Sequence, residues 1–172
     1  PNFSEVPDMA LYNFVSEKNS DFLAQNKRSY FIYFGRLSHE KGLRTLIEAF
    51  RHMPDLPLKI VGTGPEEQEL IDYVRSNKIK NIEFIGFKTG DDLKKTVSEA
   101  AFVIVPSECY ENNPMTVIEA YYMGVPVIGA KIGGIPEILP DGKTGFLFAP
   151  KVAADLKNVV TQASQLNAPD YK

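Results

Sequence analysis

The chain has 172 residues, enough to bury one sizeable hydrophobic core but too few for two full-sized α/β domains. Its 19 basic and 22 acidic side chains give a net charge of -3 and form no basic block, which argues against a nucleic-acid partner. No apolar run approaches the roughly 20 residues that span a bilayer, and no secretory signal opens the sequence. A single cysteine, Cys109, excludes an intrachain disulfide, and two histidines complete a poor set of metal ligands. We therefore expect a cytoplasmic protein without a metal site.

Short apolar runs rich in β-branched and aromatic residues alternate with longer segments of helical period. This alternation is typical of βαβ units, so it predicts an α/β fold: a Rossmann-like, doubly wound parallel sheet of about six strands with helices on both faces. Strands are predicted at 30–35, 58–62, 82–85, 102–106, 126–129 and 146–148. Helices are predicted at about 41–52, 65–77, 91–100, 114–123 and 153–166.

The first 29 residues have weak periodicity and scattered Pro, Asn and Ser. We interpret residues 1–29 as a hinge or linker with a short helix near 9–25, and residues 30–172 as the domain itself. The chain opens with proline instead of methionine, which is expected of an excised fragment and equally of a chain that has lost an initiator methionine. Residues 141–145, Asp-Gly-Lys-Thr-Gly, predict a hairpin turn before the last strand.

In an open parallel sheet, ligands bind beyond the carboxyl ends of the strands. The first predicted strand is followed by Gly35-Arg36-Leu37-Ser38-His39-Glu40-Lys41-Gly42. Glycine lets a backbone approach a ligand closely, and a guanidinium and an ammonium suit a pyrophosphate. The alternative is a solvated turn in which Glu40 only pairs with Arg36 or Lys41.

Glycines also follow the second and third strands. Gly62-Thr63-Gly64-Pro65 lacks the third glycine of a dinucleotide fingerprint, so a helix start accounts for it, although a nucleoside could lie against the Gly64 backbone. Ile85 and Phe87 flank Gly86, where a flat base could reach main-chain groups. Core packing of these two side chains is the alternative.

The longest candidate segment follows the fourth strand, at residues 106–120. Asn113 is a good N-cap and Pro114 a good first helical residue, which would direct the amides of Met115 and Thr116 at an anion.

Two carboxylates belong to the same segment. Glu111 lies just before the predicted helix and Glu119 lies inside it, where apolar neighbours predict partial burial. Carboxylates accept hydrogen bonds from sugar hydroxyls. The alternative is that Glu111 only interacts with a helix dipole and that Glu119 is a solvated surface residue.

Taken together, these motifs resemble the carboxy-terminal, donor-binding domain of family 4 (group 1) glycosyltransferases, which is one half of a GT-B fold. The resemblance covers roughly residues 28–165. It rests on Gly35-Arg36-Leu37 with Glu40-Lys41-Gly42, Gly62-Thr63-Gly64-Pro65, Phe84-Ile85-Gly86, Glu111 through Glu119, and Gly133-Gly134-Ile135-Pro136-Glu137. The spaced glutamates combined with the Arg/Lys loop are more specific than any single motif.

The resemblance implies a role for each candidate residue. Arg36 and Lys41 would bind the diphosphate of a nucleotide sugar, Glu111 the transferred sugar and Glu119 the ribose; Glu111, Arg36 and Lys41 are the implied catalytic residues. The implied donor-binding set is Gly35, Arg36, Lys41, Gly64, Ile85, Phe87, Glu111, Asn112, Asn113, Pro114, Met115, Thr116 and Glu119.

The family's chemistry implies a retaining transfer of a hexose-type sugar to a saccharide or lipid-linked acceptor, with neither metal nor cofactor. An amino-terminal, acceptor-binding domain is expected as the partner, so residues 1–172 alone should transfer nothing. Any membrane contact of the whole protein would be peripheral and made through that domain. Two alternatives stay open: half of a GT-B nucleotide-sugar epimerase, and a noncatalytic nucleotide-binding module.

Overall fold

The computed structural model describes residues 29–110, 114–139 and 144–165. The predicted linker helix near 9–25, the residues Glu111, Asn112 and Asn113, and most of the predicted turn at 141–145 lie outside these ranges. The described strands are β1 (Phe31–Phe34), β2 (Leu58–Val61), β3 (Ile82–Phe84), β4 (Phe102–Val105), β5 (Val127–Ala130) and β6 (Gly145–Phe148). The helices are α1 (Leu43–Arg51), α2 (Glu67–Ser76), α3 (Gly90–Ser98), α4 (Met115–Tyr122), α5 (Ile135–Ile138) and α6 (Ala153–Gln165), with a 3-10 turn at His39–Lys41.

The described strands form a six-stranded sheet in the order β3-β2-β1-β4-β5-β6, with every neighbouring pair parallel. This is the strand order of a doubly wound Rossmann sheet, so the predicted fold class is confirmed. The chain winds outward from β1 in one direction and from β4 in the other. The switch point therefore lies between the carboxyl ends of β1 and β4, where such folds bind ligands.

Both faces of the sheet are covered, which is why its strands are almost continuously apolar. Alternate β1 side chains enter different cores: Phe31 and Tyr33 pack in the core that contains α1 and α6, whereas Ile32 and Phe34 pack in the core on the opposite face. The phenylalanines of neighbouring strands meet inside the first core, where the Phe31 and Phe102 rings stack with centroids 5.9 Å apart. These contacts fix β1 and β4, the two strands that define the switch point.

Helix α1 shows how sequence pattern and structure agree. Its apolar residues recur with helical period, as expected of a helix that packs on a sheet, and they are fully buried: Leu43, Leu46, Ile47 and Phe50. The helix begins at Leu43 and not at the predicted residue 41, because a 3-10 turn comes first and Gly42 adopts a left-handed φ of 69°. That conformation separates the turn from the helix.

Two parts of the chain differ from what the sequence suggested. Strand β6 runs parallel to β5, and the crossover between them contains α5, a short helix that was not predicted. Helix α4 begins one residue later than expected, at Met115, with Pro114 in the N-cap position. No helix in the described part of the chain is long and apolar enough to cross a membrane.

Candidate functional site

Two loops meet at the switch point: the β1 loop (residues 35–42) and the β4 loop (residues 106–110). The backbone N–H of Glu108 donates to the carbonyl oxygen of Glu40 at 2.8 Å. Gly42 lies directly against the carbonyl group of Pro106, so closely that a side chain at this position would enter that carbonyl group. The sequence predicted ligand contacts on the β1 loop and, beyond the β4 loop, from Glu111 onward; the structure shows that residues 35–42 and 106–110 lie against each other.

The β1 loop is also fastened to the segment that follows β2. Gly35 N–H donates to Val61 O at 3.0 Å, and Leu37 N–H donates to Thr63 O at 2.9 Å. In the other direction, Glu66 N–H donates to Leu37 O at 3.0 Å. Gly64 permits this contact, because a Cβ atom there would collide with the Leu37 backbone. The β1 loop is thus held on two sides, by β2 and by β4.

The two predicted phosphate-binding cations belong to this fixed loop. The Arg36 side chain is exposed, whereas Lys41 is half-buried at the end of the 3-10 turn. The amides of Gly35, Leu37, Lys41 and Gly42 all donate to backbone carbonyls and are not open to a ligand. The contact of Gly35 with a donor stays a prediction, in which the glycine backbone approaches the ligand without donating this amide.

Glu40 has partners other than those considered in the sequence. Ser38 Oγ donates to Glu40 Oε1 at 2.5 Å. This bond, followed by the residue's own amide and by smaller effects of Lys41 and Arg36, lowers the pKa of the Glu40 carboxyl below its ordinary value. Glu40 therefore stays ionised at neutral pH, and its hydrogen bonds with Ser38 and with its own amide lie within the β1 loop.

A histidine of the β1 loop contacts a glutamate that follows β2. His39 Nδ1 is 3.4 Å from Glu66 Oε1, and the imidazole is largely exposed. Glu66 Oε2 is buried and has no hydrogen-bond partner within the described ranges. In the same ranges, no group of three or more His, Cys, Asp and Glu side chains is arranged to hold a metal ion.

Helix α4 presents its amino terminus at the same edge of the sheet, because it follows β4. Pro114 is buried there, Met115 is exposed and Thr116 is half-buried. Glu119 is exposed, so the predicted partial burial was wrong. Its neighbour Ile118 is itself 40% exposed, so these two residues lie on the outward face of α4, whereas Val117 and Ala120 are buried.

The two predicted base contacts differ from each other. Ile85 is half-buried and packs against the second core, as the core-packing alternative predicted. Phe87 is 70% exposed, so core packing does not explain it. Between them, Gly86 has a φ of 71° and its carbonyl oxygen accepts a 2.9 Å bond from Gly62 N–H. This glycine turns the chain so that the Phe87 ring lies at the surface, available for stacking.

The sequence did not predict that Glu66 or Glu108 would contact the β1 loop. Both approach the β1 loop from other strands, so no local spacing marks them. A motif search finds residues that are close along the chain, whereas these contacts depend on the order of the strands. Glu108 could have been found only by placing β4 beside β1.

Comparisons with known proteins agree with this geometry. A family model described as glycosyl transferases group 1 matches residues 15–170. Sulfoquinovosyl transferase of Arabidopsis thaliana is 33% identical over 138 residues, which cover 78% of this chain and 26% of that protein. Glycogen synthase of Mycobacterium tuberculosis is 29% identical over 168 residues, which cover 93% of this chain and 40% of the enzyme.

Solved structures share the fold. Anabaena HepE in complex with UDP superimposes with a TM-score of 0.74 at 26% identity, covering 91% of this chain and 45% of HepE. The C-terminal domain of LpcC, a group 1 family protein of Francisella tularensis, gives a TM-score of 0.74 at 23% identity and is 90% covered. The chain spans less than half the length of HepE and of the two curated relatives.

Proposed function

Because the chain belongs to the group 1 glycosyl transferase family and matches one half of a GT-B fold, we propose that it binds the nucleotide-sugar donor of a glycosyltransferase. The observation that carries this proposal is the junction of the β1 and β4 loops at the switch point, made by the bond between Glu108 N–H and Glu40 O. This bond joins the loop that contains Arg36 and Lys41 to the β4 loop, which precedes α4 in the chain.

The chemistry of donor cleavage fits these side chains. When a sugar leaves its nucleotide, the bond between the anomeric carbon and a phosphate oxygen breaks, and the diphosphate keeps the electron pair. Fixed cations that face the developing charge lower the barrier. Arg36 and Lys41 would supply that charge from a loop whose backbone is already held in place. Metal independence of the transfer is proposed on the same ground.

The other candidate residues would each contact a different part of the donor: the sugar, the ribose or the base. Glu111 would accept hydrogen bonds from the transferred hexose, and Glu119 from the ribose hydroxyls, which its exposed position leaves open to a ligand. The exposed ring of Phe87 would stack on the base. The relative HepE has been crystallised with UDP and with UDP-glucose, which supports a nucleotide sugar as the ligand class.

Transfer itself would need the rest of the protein. We propose retention of anomeric configuration, a saccharide or lipid-linked acceptor, and an amino-terminal domain that binds this acceptor. Residues 1–172 alone would bind the donor and transfer nothing. Turnover by this fragment would contradict that part of the proposal.

Titration calorimetry tests donor binding directly. UDP, GDP and ADP are each titrated into the chain, followed by the glucose conjugate of whichever diphosphate binds. Binding of one diphosphate is expected, and its identity names the base. Absence of binding by all three, with circular dichroism showing a folded chain, would overturn the proposal in favour of a noncatalytic module.

A further inference from the structure

The β1 loop contains one of the two histidines of the sequence, and its imidazole lies against a carboxylate. His39 opens the 3-10 turn, and its Nδ1 atom is 3.4 Å from Glu66 Oε1. Glu66 is fixed by the bond from its own backbone N–H to Leu37 O, and its side chain is 20% exposed. The His39 side chain is 85% exposed. A half-buried carboxylate therefore orients an imidazole that is open to a ligand.

The carboxylate determines which ring nitrogen carries the proton. Because a carboxylate only accepts hydrogen bonds, Glu66 favours a proton on the Nδ1 atom that faces it. A neutral His39 then presents a lone pair at Nε2, which repels a phosphate oxygen. A charged His39 presents an N–H at Nε2, which can donate to that oxygen. Histidine ordinarily changes its charge between about pH 5 and pH 8, so the two forms can be compared by experiment.

Stability alone does not explain this pair. An ion pair with a partner as exposed as His39 contributes little to folding. Glu66 also keeps one buried oxygen, Oε2, without a hydrogen-bond partner in the described ranges, and an unpaired buried acceptor is costly. What the pair does provide is a fixed orientation of an exposed imidazole.

His39 lies between the two proposed phosphate-binding cations in the sequence. Its Cα atom is at most about 11 Å from that of Arg36 and at most about 7 Å from that of Lys41. Arginine and lysine side chains are long enough to converge from these positions on one diphosphate that the imidazole also contacts.

The charged groups near the imidazole come from its own loop and from three neighbouring elements. Arg36, Glu40 and Lys41 share the loop, and Glu66 precedes α2. On the neighbouring elements, Glu67 lies in the first turn of α2, Arg44 of α1 pairs with Glu69 of α2, and Glu108 of the β4 loop accepts from Thr45. Glu66 is the carboxylate in contact with the ring, and it favours the protonated form.

We propose that His39 is a third contact for the donor's diphosphate, made when its imidazole is protonated, and that Glu66 is the positioning residue that orients the ring. This inference rests on the proposed function. Arginine and lysine ordinarily keep their charges at neutral and mildly acid pH, so Arg36 and Lys41 would bind throughout this range. The contact from His39 is added as the pH falls, and the bound diphosphate in turn favours the protonated ring.

Calorimetry on the full chain at about pH 8 and about pH 6 tests this contact with UDP, GDP and ADP. The terminal phosphate of a free diphosphate itself takes up a proton near about pH 6. The quantity to follow is therefore the ratio of the dissociation constants of His39→Gln and of the wild type, in which this effect of the ligand cancels. The ratio should be close to unity at the higher pH and about threefold to tenfold at the lower pH, the effect of one hydrogen bond.

Two further variants test the charge and the orientation of the ring. His39→Lys is charged at both pH values, so it should bind the diphosphate more tightly than the wild type at about pH 8. Glu66→Gln lacks the charge that favours a protonated imidazole, so its gain in affinity should appear at a lower pH than in the wild type.

His52→Gln is the matched control. His52 is the other histidine of the sequence and also lies beside a glutamate, with Nε2 3.2 Å from Glu48 Oε1. It follows the last residue of α1, whereas the β1 loop precedes the first. The ratio for His52→Gln should be the same at both pH values.

Urea unfolding at both pH values shows whether each variant is folded. A His39→Gln ratio that does not change with pH would overturn the inference. An equal change in His52→Gln would also overturn it, because the diphosphate would then respond to net charge. An unshifted pH dependence in Glu66→Gln would show that Glu66 does not orient the ring. If the wild type binds none of the three diphosphates, the proposed function fails first, and the two failures are thus distinguishable.

Discussion

Gly42 and the carbonyl group of Pro106 are in such close contact that no side chain fits between them. Gly42 also has a φ of 69°, a left-handed conformation that costs an L-residue roughly 1–2 kcal/mol. Two independent constraints therefore require glycine at the point where the β1 and β4 loops join.

The substitution Gly42→Ala should consequently lower the free energy of unfolding by more than the roughly 1–2 kcal/mol of backbone strain alone. Urea denaturation measures the difference. Gly90→Ala is the matched control, because Gly90 has a φ of 58° and open space around it. Equal destabilisation by the two substitutions would show that the contact of the added Cβ atom with the Pro106 carbonyl group does not reduce stability.

A second prediction concerns pH. The Ser38 hydroxyl is the largest cause of the lowered pKa of Glu40. A carboxyl with a lowered pKa contributes stability above its ordinary value of 4.5, and this contribution is lost as pH falls through the folded-state pKa. The substitution Ser38→Ala should raise the pKa of Glu40 toward its ordinary value, so that the contribution becomes smaller and its loss is complete at a higher pH.

Carboxyl NMR titration follows Glu40 directly, and urea unfolding between neutral and acid pH follows the stability. Tyr73→Phe is the control, because the Tyr73 hydroxyl is the largest cause of the lowered pKa of a different carboxyl, Glu48. It should shift Glu48 and leave Glu40 unchanged. A Glu40 titration that is the same with and without Ser38 would contradict the assignment.

The third prediction tests the phosphate contact. Lys41→Ala should weaken binding of the free diphosphate by about 1.5–3 kcal/mol, since a hydrogen bond to a charged group is lost. Calorimetry at two salt concentrations measures the loss, which should shrink at high salt as the charges are screened. Lys80→Ala is the control, because Lys80 is exposed and precedes β3, at the opposite edge of the sheet. A similar loss of affinity in both variants would show that the diphosphate responds to the net charge of the protein, which would contradict a specific contact with Lys41.

A fourth prediction separates the sugar from the phosphates. Glu111→Ala should leave affinity for the free diphosphate unchanged and weaken its glucose conjugate, because Glu111 is proposed to contact only the transferred sugar. Parallel titrations of the two ligands measure the split. Loss of both affinities to the same degree would show that Glu111 acts on the whole site.

The strands and the amphipathic helices could be predicted because their signals are local. Leu43 and Phe50 recur with helical period, and the apolar run at β4 is too short for a helix and rich in β-branched residues. Helix α5 was not predicted, because the same local signals favour a loop wherever glycine and proline cluster, as Gly133, Gly134 and Pro136 do. Proline is nevertheless tolerated in the first turn of a helix, where its missing N–H has no partner to lose.

The interior of the site could not be predicted from these signals. Thr45 and Glu108 are 63 residues apart, and their bond exists only because β1 and β4 are neighbours. The exposure of Glu119 was predicted incorrectly because apolar neighbours in sequence need not cover a carboxylate. On α4, Val117 and Ala120 face the core while Glu119 and Ile118 face outward.

That exposure makes a fifth prediction possible, because Glu119 can be changed without disturbing the core. Glu119→Ala should alter the free energy of unfolding by no more than about 0.5 kcal/mol, as expected for a surface substitution. If its carboxylate accepts the ribose hydroxyls, the variant should bind the ribonucleoside diphosphate about tenfold or more weakly. The dideoxy form of the same diphosphate lacks those hydroxyls, so wild type and variant should bind it equally. Calorimetry of both proteins with both ligands gives a double-mutant cycle, whose two changes are Glu119→Ala and the loss of the ribose hydroxyls. A coupling energy of zero between these changes would show that Glu119 does not contact the ribose hydroxyls.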